Sequence, residues 1–403
     1  GLGVILDVVY NHFGPSGAYA PMFGPYLAGT DNPWGRSVNL DGPHSDEVRR
    51  YILDSALIWL RDYHLDGLRL DAVHALTDHR ATHLLEELAV EVEALSTHLG
   101  RPLSLIAESD LNDPRLVTAR EAGGYGLHAQ WNDDAHHALH ALLTGERQGY
   151  YADFGSVECL SAVLTGVFFH AGTWSSFRGR HHGRPVDTAR IPGHRFVAYL
   201  QNHDQIGNRA VGDRISATLS DGLLRVAATL LMTSPFTPML FMGEEWAAAT
   251  PWQFFTSHPE PDLAAAVASG RRAEFAAHGW PAGEVPDPQA AETFQRSTLD
   301  WAEPEKSGHR EMLDLYRRLI ALRKSRAELS DPRLDRVDVR HGDRFLVIRR
   351  GRCAVVANLA ASPRRITLPA AAQSVLLATG PGVTTVTDTV ELPGESAAVV
   401  VLD

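Results

Sequence analysis

The sequence predicts an α/β protein of the (β/α)8 TIM-barrel type, followed by a C-terminal antiparallel β-sandwich domain. Three features carry that expectation. Short apolar runs alternate with amphipathic helical patterns, as βα units require. Four of those runs lead to an acidic residue at or just past their ends. Beyond about residue 335 the helical patterns stop and short β-rich runs take over.

The elements follow in order. Strands are expected over 4–9, 65–70, 103–107, 196–200 and 239–242, with a weaker run leading to Trp131. Val48, Tyr51, Ile52, Ala56 and Trp59 keep helical spacing. Ser45 is the expected N-cap there, with Asp46 and Glu47 in the first turn. A second helix is expected over 78–98, stopped by Gly100. Two more are expected over 221–232 and 311–326. The β-rich runs 344–350, 353–359, 373–378 and 397–402 are separated by turns such as "HGD" and "PGES". The expected organisation is a catalytic barrel over 1–330, carrying an inserted loop subdomain at about 13–44, and a sandwich over 331–403.

Composition narrows the function. A formal charge of −12 speaks against nucleic acid or an acidic membrane surface as partner, because phosphates are held by basic patches. Only Cys159 and Cys353 are present, too few for a disulfide framework, which points to a reducing, cytoplasmic setting. No run of about 18 apolar residues is present to span a membrane.

The acids say more. Asp7 ends "VILD", Asp71 ends "LDGLRLD", Glu108 ends "LSLIAE" and Asp204 follows "FVAYLQNHD". In a (β/α)8 barrel the C-terminal strand ends open onto one face, where catalytic groups collect. Asp71 and Glu108 are 37 residues apart, close to one βα unit of roughly 30 residues. A lone acid at a strand end usually caps a helix or pairs with a cation. Four of them, beside His12, Arg69 and His203, fit glycoside hydrolysis better, since that chemistry needs one carboxylate at the anomeric carbon and one carboxylic acid at the leaving oxygen. Arg69 falls on the same strand face as Asp71 and can pair with it, whereas Glu108 has no neighbouring cation in sequence, as suits a proton donor. His12 and His203 can donate hydrogen bonds to sugar hydroxyls.

"DVVYNH", "DGLRLDAVH", "LIAESD" and "AYLQNHDQIGN" resemble, in order, the four signature regions of the α-amylase family of glycoside hydrolases. The resemblance implies Asp71 as nucleophile, Glu108 as general acid/base and Asp204 as transition-state stabiliser, acting with retention through a covalent glycosyl intermediate. It implies that Arg69 orients the nucleophile, that His12 and His203 contact sugar, that His74 faces the leaving group, and that Asp7 and Asn11 are structural within the site. Asp110 and Arg209 are expected to contact substrate or to hold the catalytic acids, and Trp34 to stack on a sugar ring. In that family "DVVYNH" ends the third barrel strand. The chain is therefore expected to supply strands three to eight, with a missing N-terminal segment completing the barrel.

Further stretches, among them "NPWGRSVNLDGPHSDEVRRYI" and "QWNDDAHHALHALLTGERQGYYADF", are similar to the maltooligosyltrehalose trehalohydrolases within that family. These enzymes cut the α-1,4 bond next to a terminal trehalose unit, which implies functional pairing with a trehalose-forming synthase. The alternatives are a glycogen branching enzyme, another α-glucanase of the family, or a non-catalytic carbohydrate-binding relative. No metal or cofactor is implied. His136, His137 and His140 lie close in sequence but lack a third ligand at telling spacing, and are expected on a helix surface or against loops.

Overall fold

The computed structural model describes residues 1–277 and 285–403. The chain folds into two compact units, Gly1–Asp134 with Gly166–Val197, and Ala135–Thr165 with Ala198–Asp403.

The first unit is built on parallel strands β1 (Ile5–Val8), β2 (Gly67–Leu70), β3 (Ser104–Ala107) and β4 (Ala129–Trp131), joined by Phe196 and Val197 of β5 (Phe196–Tyr199). Helix α1 (Ser45–Arg61) crosses from β1 to β2, and α2 (Leu84–Leu99) from β2 to β3. All four residues of β2 are buried, as a parallel strand covered on both faces must be. The register sets Asp7 opposite Arg69, and Arg69 opposite Ile106. One polar residue therefore sits in the middle of an apolar sheet with an acid on the next strand.

Two helix starts differ from expectation. Ser45 is the first helical residue rather than the cap, because His44 takes the left-handed conformation (φ 61°) ahead of it. The second helix begins only at Leu84, six residues late. The Asp78 carboxylate is drawn inward by the buried Arg49 (2.5 Å) and accepts from the Leu84 amide (2.7 Å), so the intervening residues leave the helical path and His83 caps instead. Gly100 ends that helix in the left-handed region, as expected.

The insertion after β1 is a small antiparallel sheet in which Gly35–Val38 lies between His12–Phe13 and Leu27–Asn32. Gly35 permits it. A Cβ there would lie 2.7 Å from the Phe13 carbonyl oxygen and 2.9 Å from the His12 ring.

The second unit contains most of helix α3 (Asp133–Thr144), α4 (Val157–Gly166) up to Thr165, α5 (Asp221–Thr233), strand β6 (Thr237–Met239) and α6 (His309–Ser325). Strand β6 lies earlier than expected, since the chain turns at Gly243 (φ 86°) with the Glu244 amide donating to the Phe241 carbonyl. The sandwich follows. Its larger sheet is ordered β7 (Val337–Gly342), β8 (Phe345–Arg350), β9 (Cys353–Asn358), β11 (Ser396–Leu402) and β10 (Ala372–Ala378). The smaller sheet holds Arg364–Thr367, Thr389–Leu392 and Thr384–Val386. Val347, Val356, Ile366, Val390 and Val400 form the core between them. Among the described residues no helix is long and apolar enough to cross a membrane.

Two arginines serve the end of α5, the buried Arg350 from the sandwich and the half-buried Arg323 from α6. Arg350 donates to the carbonyls of Thr233, Ser234 and Leu329, each at 2.9 Å, and to that of Asp331. Arg323 donates to those of Met232, Ser234 and Phe236. The last carbonyls of a helix need such partners, and a cation suits the negative end of its dipole. Burial pushes the Arg350 guanidinium down to about 10, which still leaves it charged at neutral pH. Arg350→Met should therefore destabilise the protein by about 2–4 kcal/mol, through carbonyls left without donors. Urea unfolding of the two proteins measures this.

Candidate active site

Arg69 organises the first unit's polar cluster. Its side chain is about 5% exposed, and its Nη1 donates to Asp7 Oδ1 and to Asp71 Oδ1, each at 2.7 Å. Its Nη2 lies 3.1 Å from Glu108 Oε2, and the guanidinium stacks 4.3 Å from the Trp131 ring centroid. Burial works against the cation, but the charges of Glu108, Asp7 and Asp71 outweigh it and hold Arg69 above its ordinary range.

Asp71 is fixed on its other oxygen as well. Asn11, buried, donates from Nδ2 to Asp71 Oδ2 (2.8 Å) and to the Asp71 carbonyl (3.0 Å). His12 Nδ1 donates to Asn11 Oδ1 at 2.6 Å, which leaves Nε2 as the ring's other polar atom. Immediately after Asp71, Ala72 turns into the left-handed region (φ 39°) and its amide donates to Glu108 Oε2 at 2.7 Å. Such strain in a non-glycine residue persists only where its surroundings enforce it. The expectation that Glu108 stands apart from cations is corrected here. Arg69 is distant in sequence but lies on the adjacent strand, opposite Ile106, and reaches across to it.

A second group follows the same strand ends. Trp34, half exposed at its hairpin turn, meets His74 edge-on with ring centroids 5.5 Å apart. The turn is tied back by Asn32, whose side chain accepts from the Trp34 and Gly35 amides and donates to the Asn11 carbonyl. His74 Nε2 lies 3.8 Å from Asp110, which pairs with Arg178 at 2.9 Å. His182 donates to the Asp110 carbonyl at 2.8 Å, and burial with the Arg178 charge lowers its imidazole to about 4.

In the second unit, Asp204 lies in the first turn of a five-residue helix, His203–Gly207. Asn202 caps it, its Oδ1 accepting from the amides of Asp204 (2.9 Å) and Gln205 (3.0 Å). His203 Nε2 is 3.5 Å from Asp204 Oδ1. Arg209, expected at substrate or at the catalytic acids, has both terminal nitrogens on other carboxylates. It donates to Glu146 at 3.0 and 2.9 Å and lies 2.8 Å from Asp213.

Comparison with known proteins bears on this arrangement. Residues 332–399 match a family model described as a domain of unknown function, DUF3459. The malto-oligosyltrehalose trehalohydrolase of Arthrobacter ramosus is 64% identical over 80% of this chain and 56% of its own. That of Rhizobium sp. (strain M-11) is 56% identical over 99% of this chain and 67% of its own. A crystal structure of a candidate alpha amylase from Salmonella typhimurium, 36% identical, matches with a TM-score of 0.87 over 100% of this chain and 68% of that one. The chain belongs to the malto-oligosyltrehalose trehalohydrolase family. It spans between about half and two thirds of the length of these curated relatives. A 1,4-alpha-glucan branching enzyme of Methylococcus capsulatus is more distant, at 27% identity over 65% of this chain.

Several residues of this family member escaped sequence reasoning. Trp131 was visible only as the end of a weak strand, and nothing in its spacing announces that it lies under Arg69. Glu146 lies within a stretch that carries the family resemblance, but its spacing gives it no role there. The three histidines of α3 are buried, packed as expected against the segment that follows the helix rather than on its surface. His136 Nδ1 donates to the Leu200 carbonyl and its Nε2 meets the Tyr151 hydroxyl, both at 2.8 Å, and burial keeps it well below its ordinary range. Among the described residues no group of three His, Cys, Asp or Glu is placed to hold a metal.

Hydrogen bonding from His140, with the guanidinium of Arg209, lowers the Glu146 carboxyl from 4.5 to about 2 against the opposing effect of burial. A depressed carboxyl contributes stability that is fully present above pH 4.5 and is lost as pH falls towards 2. In Glu146→Gln that contribution is gone, so the difference in unfolding free energy from the parent should shrink as pH falls from 5 to 2. Denaturant titrations across that range measure it.

Proposed function

We propose that this family member hydrolyses the α-1,4-glucosidic bond next to the terminal trehalose unit of maltooligosyltrehalose, releasing trehalose with retention at the anomeric carbon. The observation that carries the reading is the treatment of Asp71. Arg69 takes one of its oxygens and Asn11 the other, which fixes the carboxylate while the neighbouring strand end presents Glu108. Orientation of this kind is what a nucleophile requires.

In the first step an Asp71 oxygen attacks the anomeric carbon while Glu108 gives its proton to the glycosidic oxygen. The bond to the leaving group breaks and trehalose departs, leaving a β-glycosyl ester on Asp71. In the second step Glu108, now a carboxylate, takes a proton from water as the water oxygen attacks the same carbon, and Asp71 is freed. Asp204 stabilises the charge that develops on the sugar, and His12 and His203 bind its hydroxyls. Asp7 holds Arg69 from the far side. Trp34, His74 and Asp110 form the leaving-group side, where selectivity for the bent trehalose unit arises from hydrogen bonds and stacking built for that disaccharide. The substrate has to come from an enzyme that forms the terminal trehalose linkage, so the reading includes functional pairing with such a synthase in the cytoplasm.

The glycosyl ester could instead pass to a sugar hydroxyl, which would make the protein a branching transferase. A product assay on the full-length enzyme separates the two. Maltotriosyltrehalose should yield free trehalose and plain maltopentaose should stay nearly untouched; branched or elongated products without trehalose would select the transferase. Glu108→Gln should lower turnover by about 10³-fold or more, since protonation of the leaving oxygen is lost. Calorimetry of the variant with maltotriosyltrehalose should still show binding, and a variant that kept its turnover would remove Glu108 from the reaction.

A further inference from the structure

The segment that carries Asp204 is gripped at both ends by one helix and the turn that follows it. At its start, the Leu200 carbonyl accepts from His136 on α3, and the other nitrogen of that ring meets Tyr151. At its end, Arg209 is paired with Glu146 through two hydrogen bonds. The two grips are joined to each other. His140 lies flat on Tyr151, with ring centroids 4.5 Å apart, and its Nε2 is 2.8 Å from Glu146. The chain of contacts therefore runs from Leu200 through His136, Tyr151, His140 and Glu146 to Arg209, with Asp204 on the loop it closes.

We propose that Glu146 is a positioning residue for Asp204, acting through Arg209. This rests on the reading of Asp204 as the transition-state stabiliser. The five-residue helix holding Asp204 is too short to fix its own direction, and its cap from Asn202 is local to the segment. A two-pronged arginine–carboxylate pair fixes both distance and plane, which a single hydrogen bond does not. Both partners are about a quarter exposed, so water screens the pair less than it would a surface ion pair. Removing the charge of Glu146 leaves Arg209 at most one neutral acceptor on the helix–turn, and its remaining carboxylate partner, Asp213, lies four residues away on its own segment. The stretch 136–151 thereby sets the aim of a catalytic carboxylate without touching substrate.

The test is steady-state kinetics of the full-length Glu146→Gln enzyme on maltotriosyltrehalose, beside Arg209→Lys, the double variant and Asp204→Asn. A displaced stabiliser should lower kcat by about 10- to 100-fold, with KM changed less than about threefold, because misplacement costs the transition state more than the bound substrate. The double variant should be no worse than the poorer single one, and Glu146→Asp should recover part of the loss. If Glu146→Gln fails to fold, Arg209→Lys carries the same expectation, since it keeps the charge and loses the paired geometry. Unchanged kcat with a lowered melting temperature would overturn the proposal, as would a loss confined to KM. Full activity in Asp204→Asn would instead remove the reading of Asp204 on which the proposal stands.

Discussion

Arg69 reaches three carboxylates from the centre of a fully buried strand, and the first unit's chemistry depends on that reach. Taking a guanidinium out of water is costly, and only close anionic partners and a stacked ring make the position tenable. Asp7, Asp71, Glu108 and Trp131 supply them from each of the strands β1 to β4 or from the residue that follows one. The dependence is mutual. The strand register fixes where the cation lies, and the cation then draws the strand ends together.

The same economy extends outward. Asn11 serves Asp71 with its amide nitrogen and His12 with its oxygen, while its carbonyl anchors the hairpin turn that bears Trp34. One short run, residues 11–13, thus connects the Asp71 carboxylate, the His12 ring and the turn that bears Trp34. Gly35 is the steric condition for this, because any side chain there would press on His12.

Sequence alone made the strand-end acids legible, because each strand is a short apolar run ended by a charge, and a run of that kind needs no tertiary information to be seen. What could not be read is contact made across strands or across long loops. Glu108 looked isolated only because Arg69 is 39 positions away. Asp78 looked like the start of a helix because its pull towards Arg49 leaves no local trace. The pairing of Arg209 with Glu146 could not be read either, because the two lie 63 residues apart. The histidines of α3 followed the same rule, since their burial is set by Tyr150, Tyr151 and Phe154 beyond the end of the helix.

The ending of α5 bears on how this architecture can vary. Its last carbonyls are served by Arg323 from a neighbouring helix and by Arg350 from the sandwich, so a barrel helix is finished by a residue from another fold. The sandwich is in that sense part of the helix's chemistry rather than an appendage. Any domain recruited into its place in a related protein would have to bring a buried cation to the same oxygens, and lineages that exchange C-terminal domains should carry the arginine, or a helix that ends differently, along with them.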